Sequence, residues 1–243
     1  MAKVFLSAGH GGSDPGAVAY GLEEKNINLN IMLACKSELE KHGVSVVCSR
    51  LKDENDKVGS EVKEANASGA DVAVSFHTNA GGGDGSESFY YGTSSKGKTL
   101  AELCEKYTKG IGQNSRGIKD GKHLYFIKKT IMPAVLCECA FVDNDKDNDI
   151  IDTEAEQKAF GVAYAKAILE YLGITYKASN PKPVSNPTPV QPSKVTNEFK
   201  VKVTTGALNI RTGPGIGNRK TGRVIRDKGI YTIVETSGSW GKL

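Results

Sequence analysis

The sequence predicts an α/β fold, a mostly parallel sheet flanked by helices, followed by a Pro-rich linker and a small all-β module. Three observations carry this reading. Short apolar runs, at residues 4–6, 71–77 and 132–142, alternate with longer stretches of helical periodicity. Residues 178–197 hold five prolines and no apolar period, a composition that keeps a chain extended and solvated. From Phe199 onward apolar and polar residues alternate between glycine turns, as short strands do. The expected division is therefore residues 1–175, 176–197 and 198–243.

Val4-Phe-Leu6 reads as a buried strand, and the turn that follows it is too rich in glycine and proline to continue a ladder, which leaves His10 at a strand end. Residues 25–41 place Ile27, Ile31, Leu33, Cys35 and Leu39 at helical spacing, with Gly43 as the stop. Residues 44–48 read as a strand, and 57–68 as an amphipathic helix ended by Gly69. The strand 71–77 ends in a second histidine, His77, and opens into a polar, glycine-rich loop over 78–86. Residues 88–91 form a short strand, and 98–111 a helix with Leu100, Leu103, Cys104 and Tyr107 on one face. Residues 123–127 read as another strand, 132–142 as the most hydrophobic strand, and 153–172 as the last helix of the unit. Strands alternating with helices imply an α/β layer structure with a largely parallel sheet.

Charge is distributed unevenly. Residues 1–175 carry 20 Lys and Arg against 25 Asp and Glu, a balance of −5, whereas residues 176–243 carry 12 against 3, a balance of +9. A basic tail module points to an anionic partner, and its scarcity of aromatics for base stacking argues against nucleic acid. No stretch approaches the roughly 18 consecutive apolar residues of a membrane span, so no membrane insertion is expected. The segment ahead of His10 is too short for a signal peptide, which predicts a product made and folded in a cytoplasm and let out by other means. Five cysteines without C-x-x-C spacing suggest reduced, mostly buried thiols.

His10 and His77, both at strand ends, and a carboxylate at the helix start could converge on one edge of the sheet. Three N/O ligands of this kind suit one zinc ion with an open fourth position for water. A carboxylate at a helix N-terminus is also favoured by the helix dipole, and spacing alone does not choose between Glu23 and Glu24. Glu138 stands inside the most apolar strand. Period-2 alternation puts Cys137 and Cys139 on one face and Glu138 on the other, where a carboxylate is costly unless it is paired or faces a polar cleft. Such a group could take a proton from an attacking water and hand it to the leaving group. His42 is explained as a helix cap and His123 as the start of a strand. Arg116, in a loop, could hold an anionic substrate group or simply lie in water. A competing motif is Gly92-Thr-Ser-Ser-Lys-Gly-Lys-Thr99, which matches the phosphate-binding pattern letter for letter between a strand and a helix, with Asp143 as a possible magnesium ligand. A nucleotide-binding protein using this loop is one alternative. It leaves His10, Glu24, His77 and Glu138 unexplained.

Residues 2–173 resemble the zinc-dependent N-acetylmuramoyl-L-alanine amidases of type 3, found in bacterial autolysins and phage endolysins. The matching pieces are Ala8-Gly-His-Gly-Gly-Ser-Asp-Pro-Gly-Ala17, Gly21-Leu-Glu-Glu-Lys25, Asn66-Ala-Ser-Gly-Ala-Asp71, Ser75-Phe-His-Thr-Asn-Ala80, Arg116-Gly-Ile118 and Met132-Pro-Ala-Val-Leu-Cys-Glu-Cys-Ala-Phe141. The resemblance implies zinc ligands at His10, Glu24 (not Glu23) and His77, and a catalytic glutamate at Glu138. Cys137 and Cys139 replace the usual small or β-branched neighbours, and Thr78 stands where alanine is common. The stretches 206–215 and 238–243 are similar to the bacterial SH3-like wall-binding domain. The sequence ends at Leu243 soon after a tryptophan turn, so that module is expected to be incomplete. The implied activity is hydrolysis of the amide between N-acetylmuramic acid and L-alanine in peptidoglycan, with the basic module engaging anionic wall polymers. A phage endolysin released by a holin is expected over a secreted autolysin. A zinc peptidase cutting within the stem peptide is the alternative of the same chemical class.

Overall fold

The computed structural model describes residues 2–178, 199–204, 208–211, 213, 220–225, 229–237 and 240–242. By its contacts the chain divides into two units, Met1–Lys177 and Ala178–Leu243. Residues 179–198, which hold all five prolines of the expected linker, lie outside the described residues.

In the first unit, β1 (Lys3–Ala8) leads through a turn into a two-residue hairpin, β2 (Val18–Ala19) and β3 (Leu22–Glu23), and then α1 (Glu24–Lys41). There follow β4 (Ser45–Cys48), α2 (Val58–Ser68), β5 (Val72–Asn79), β6 (Ser86–Tyr90), α3 (Ser95–Lys109) and β7 (Ser115–Asp120). The unit closes with α4 (Tyr125–Lys129), β8 (Ala134–Phe141), α5 (Asp145–Ile151) and α6 (Glu154–Tyr171). Six strands form one sheet in the order β4-β1-β5-β8-β6-β7. All neighbours are parallel except β6 and β8. Strands β1 and β5 are apolar and buried on both faces because helices cover both sides, as parallel sheets require.

Alternation along the strands sorts the core into two layers. Val4, Leu6, Val72, Val74, Phe76, Val135, Cys137 and Cys139 pack with residues of α1, α3 and α6. Phe5, Ala73, Ala134 and Leu136 point the other way, against Val62 and Ala65 of α2 and Phe126 and Ile127 of α4. Each fully buried Leu, Ile or Phe contributes about 1.5–3 kcal/mol. Helices α1 and α6 approach closely at Gly161, where a side chain would collide with the Ile31 carbonyl and Ala34. Thr153 caps α6 through a reciprocal capping box with Glu156, which fixes where that helix begins.

Several expectations are corrected. Residues 123–127 are not a strand: α4 occupies Tyr125–Lys129, and the strand that fills this place is the earlier β7. A five-residue apolar run does not distinguish the two by periodicity. Helix α5 was not expected, since it shows only Ile150 and Ile151 as apolar residues and is set by Asn144, whose side chain accepts from the Lys146 and Asp147 amides. Helix α3 begins at Ser95, before the expected residue 98, because Ser94 caps it by accepting from the Gly97 amide.

The second unit contains β9 (Phe199–Lys202), β10 (Leu208–Arg211), β11 (Lys220–Ile225), β12 (Ile230–Ile233), β13 (Glu235–Ser237) and β14 (Trp240–Lys242). They pair antiparallel as β10 with β11, β9 with β12, and β13 with β14.

Candidate metal centre and active site

The site lies at the C-terminal ends of β1 and β5, beside the N-terminus of α1. His10 follows β1 in a backbone conformation with φ of 65°, uncommon for a non-glycine residue. The turn is closed by two backbone bonds, Gly11 N to Asp14 O at 3.0 Å and Asp14 N to Gly11 O at 3.1 Å. That closure brings the Asp14 carboxylate to 2.8 Å from His10 Nδ1. His10 Nε2 faces Glu24 Oε2 at 3.3 Å. Glu24, the first residue of α1, is buried, and its Oε1 lies 3.1 Å from His77 Nδ1. One ligand atom from each of His10, Glu24 and His77 lies within 4.8 Å of the others. Glu23 points elsewhere, accepting from Asn26 Nδ2 at 2.9 Å.

The surroundings hold this set rigidly. Thr78 donates its amide to Glu24 Oε1 at 3.0 Å, and its hydroxyl donates to Asn28, whose own side chain donates to the Gly9 carbonyl at 3.1 Å. The Ala17 amide donates to Glu24 Oε2 at 2.9 Å. Arg50, also buried, ties the His10 turn to α1, donating to the carbonyls of Ala8, Gly9 and Lys25 at 3.0, 3.4 and 2.7 Å. At Gly9 the backbone passes against the His77 ring so closely that any Cβ would overlap the imidazole.

The electrostatics fit a cation. Hydrogen bonding to Glu24 raises His10 to about 9 against the cost of burial, with Asp14 adding to the effect. Burial lowers His77, but its hydrogen bond to Glu24 and the charge of Glu138 outweigh that and leave it raised. Burial pushes Glu24 up, yet its bonds to His10 and His77 hold it well below the usual carboxylate range. A buried carboxylate between two imidazoles that both favour a proton is a place that attracts positive charge. Two nitrogens and one carboxylate oxygen are a donor set that zinc accepts.

Glu138 sits in the middle of β8, directly across from His77 on β5. Its Oε2 is buried with no hydrogen-bond partner among the described residues. Burial raises its carboxyl to about 7, opposed by His77 and assisted by the negative charges of Glu24 and Glu87. It is poised to exchange a proton near neutrality.

Arg116 is not free in water. Its Nε donates to Glu87 at 2.7 Å and its guanidinium lies 5.0 Å over the Phe141 ring. His42 is the C-cap of α1, its ring nitrogens held by the Glu38 carbonyl and the Lys177 backbone. His123 packs edge-on against Phe89, away from the cluster. Asp14, Asn28, Arg50 and Glu87 were not singled out from the sequence. Only Asp14 left a signal there, as an acid four residues after His10 in a glycine turn. The phosphate-loop lookalike is an ordinary strand-to-helix connection: Lys98 reaches Glu102 at 3.9 Å and Thr99 bonds the Ser95 carbonyl, both along α3.

Fold and cluster together define an α/β enzyme with a candidate metal site at the C-terminal ends of two interior strands of its sheet. Residues 4–170 match the family model described as N-acetylmuramoyl-L-alanine amidase. The chain is 34% identical over 183 residues to the N-acetylmuramoyl-L-alanine amidase CwlM of Bacillus licheniformis, covering 74% of this chain and 72% of that protein. It is 34% identical over 195 residues to the endolysin of Bacillus phage SPP1, covering 76% and 72%. The solved catalytic domain of CwlV, an N-acetylmuramoyl-L-alanine amidase from Bacillus (Paenibacillus) polymyxa var. colistinus, superposes with a TM-score of 0.67 at 34% identity, over 72% of this chain and 100% of that one. The chain belongs to the N-acetylmuramoyl-L-alanine amidase family.

Proposed function

We propose that His10, Glu24 and His77 hold one zinc ion, and that Glu138 moves the protons as the amide between N-acetylmuramic acid and the first L-alanine of the stem peptide is hydrolysed. The enzyme is a peptidoglycan amidase. One observation carries the assignment of roles: three donor atoms within 4.8 Å of one another, beside a buried carboxyl oxygen that no group among the described residues satisfies.

When bound, zinc supplies Lewis acidity that polarises the scissile carbonyl and makes water acidic enough to attack near neutral pH. The chain supplies the rest. Asp14 fixes the orientation of His10 through Nδ1, and Thr78 and Ala17 hold the Glu24 carboxylate by their amides. Glu138, with its unpartnered Oε2, accepts a proton from the attacking water and returns it to the departing amine nitrogen. Burial holds this carboxyl above the usual carboxylate range in the metal-free site, which suits a group that must both take up and release a proton. Arg116, on β7 two strands out from this carboxyl and held by Glu87, is assigned to an anionic group of the substrate.

The test is the chemistry of the digest. Mass analysis of purified walls after treatment should show glycan strands stripped of intact stem peptides, with new L-alanine N-termini. Cleavage between stem-peptide residues would instead identify a peptidase and overturn the assignment. The likeness to a phage endolysin supports action on the wall after release from the cell that makes the protein. Among the described residues no helix is long and apolar enough to cross a membrane. The excess of Lys and Arg over residues 176–243 supports contact of that region with anionic wall polymers.

A further inference from the structure

The end of the sheet away from His10, Glu24 and His77 carries a surface that hydrolysis does not use. Strand β8 runs parallel to β5 and begins at that end with Ala134, roughly 13 Å from Glu138 at about 3.3 Å per residue. A cleft opens there between the end of β6, the start of α3, the end of α4 and the start of β8. Tyr91, Lys96, Lys128 and Ile131 are among the residues that line it, and no Asp or Glu does. This is a local departure, since residues 1–175 carry a balance of −5. Lys98 and Lys122 nearby pair with Glu102 and Asp120 at 3.9 and 3.5 Å. Lys96, Lys128 and the adjacent Lys129 are exposed and form no ion pair among the described residues.

The apolar members of this surface face outward. Ile131 is 80% exposed, Tyr125 50% and Tyr91 42%. Ile131 is held in that position by Asn66 of α2, whose Nδ2 donates to the Lys129 carbonyl at 2.9 Å and whose Oδ1 accepts from the Ile131 amide at 3.0 Å. Tyr125, Lys128 and Lys129 stand at i, i+3 and i+4 on α4, so they share its outer face, while Phe126 and Ile127 fill the core behind it.

Two properties of the surface choose its partner. Unpaired lysines with no carboxylate among them call for an anion. A soluble polyanion would engage the lysines but leave an outward isoleucine and two tyrosines in water. An anionic bilayer engages both kinds of side chain. Each lysine near its surface gains about fivefold in binding constant, tyrosine rings favour the headgroup level, and an apolar side chain enters the acyl boundary.

We propose that the outer face of α4 and the turn at Ile131 dock the enzyme peripherally on a bilayer containing anionic phospholipid. The cluster of His10, Glu24 and His77 lies at the opposite ends of the strands and is thereby turned away from the lipid. The proposal is independent of the roles assigned to that cluster and to Glu138.

The experiment mixes the full chain with vesicles of phosphatidylglycerol and phosphatidylcholine in equal parts, or of phosphatidylcholine alone, and reads the bound fraction by sedimentation. The parent should bind the anionic vesicles and not the neutral ones. The basic region 176–243 also meets a negative surface, so the variants carry the test. Ile131→Ser keeps every charge and should weaken partition on the order of tenfold, as loss of inserted carbon atoms predicts. Leu51→Ser removes another exposed apolar side chain, 58% exposed and outside the surface, and should leave partition unchanged. Replacing Lys96, Lys128 and Lys129 together by Gln should weaken it about 100-fold. Thermal midpoints should match the parent, because all these side chains are exposed, and hydrolysis of membrane-free walls should proceed at the parent rate. No binding by the parent, equal binding to both vesicles, or partition that neither Ile131→Ser nor the lysine variant changes overturns the proposal. So does a loss in Leu51→Ser as large as that in Ile131→Ser. Binding that soluble poly(glycerol phosphate) abolishes and Ile131→Ser leaves intact assigns the lysines to a soluble polyanion and also overturns it.

Discussion

His77 and Glu138 stand directly opposite each other on the parallel strands β5 and β8, so the imidazole that borders Glu24 and a carboxyl whose Oε2 finds no partner among the described residues share one face of the sheet. Backbone pairing sets this neighbourhood, and a slip of one residue in either strand would turn one of the two side chains to the opposite layer.

Replacing that carboxyl by an amide isolates its proton chemistry. Glu138→Gln is expected to lower the rate of L-alanine N-terminus release by about 10²–10⁴-fold. Its metal content by elemental analysis should match the parent, because Glu138 is outside the His10, Glu24 and His77 set.

The same residue predicts a pH dependence of stability in the chelated protein. Glu138 is raised by burial from 4.5 to about 7. Between those values the folded state binds more protons than the unfolded one, so this group's contribution to stability falls as pH rises through the interval and is constant above it. Glu138→Gln lacks the titration. The stability difference between variant and parent, from urea unfolding in chelator, should therefore shift in favour of the variant by a few kcal/mol in order of magnitude between pH 4.5 and 8. A difference that is flat across this range would contradict the raised value.

Asp14 holds His10 from the side away from Glu24. Asp14→Ala frees the ring to rotate and removes the charge that makes it a better donor. Metal affinity, measured by competition with a chromogenic chelator, is expected to fall about 10–100-fold with little change in the unfolding midpoint.

Gly9→Ala forces a methyl group into the His77 ring. The imidazole or the β1 turn must move, at a cost of roughly 1–3 kcal/mol in stability. Activity should fall further than the modest loss in thermal midpoint explains, and activity restored to the parent level in Gly9→Ala would refute the packing argument.

Lys98→Ala tests the phosphate-loop lookalike. Lys98 is an exposed residue pairing with Glu102 along α3. Wall hydrolysis should be unchanged and neither parent nor variant should bind ATP in calorimetry, whereas His77→Ala should abolish hydrolysis.

Much of the fold was legible because its strands and helices carry their own periodicity. The buried runs of β1, β5 and β8 and the amphipathic α1, α2, α3 and α6 stand out without tertiary information. Strand β7, Ser-Arg-Gly-Ile-Lys-Asp, did not: it is half-exposed and interrupted by Gly117, and it becomes a strand by pairing with β6 at the edge of the sheet. Helix α4 reads as a strand in the sequence because its apolar residues are too few to show a helical period.

The site divides along a similar line. By itself the sequence placed two histidines at strand ends and a carboxylate inside an apolar strand, because strand runs, glycine turns and period-2 alternation are local properties. It left Glu23 and Glu24 equivalent. Tertiary structure decided which glutamate turns inward, that Asp14 and Arg50 brace the His10 turn, and that Arg116 leans on Glu87. Those relations join residues far apart in the chain, and only the register of six strands and the packing of α1 against them bring the atoms within hydrogen-bonding distance.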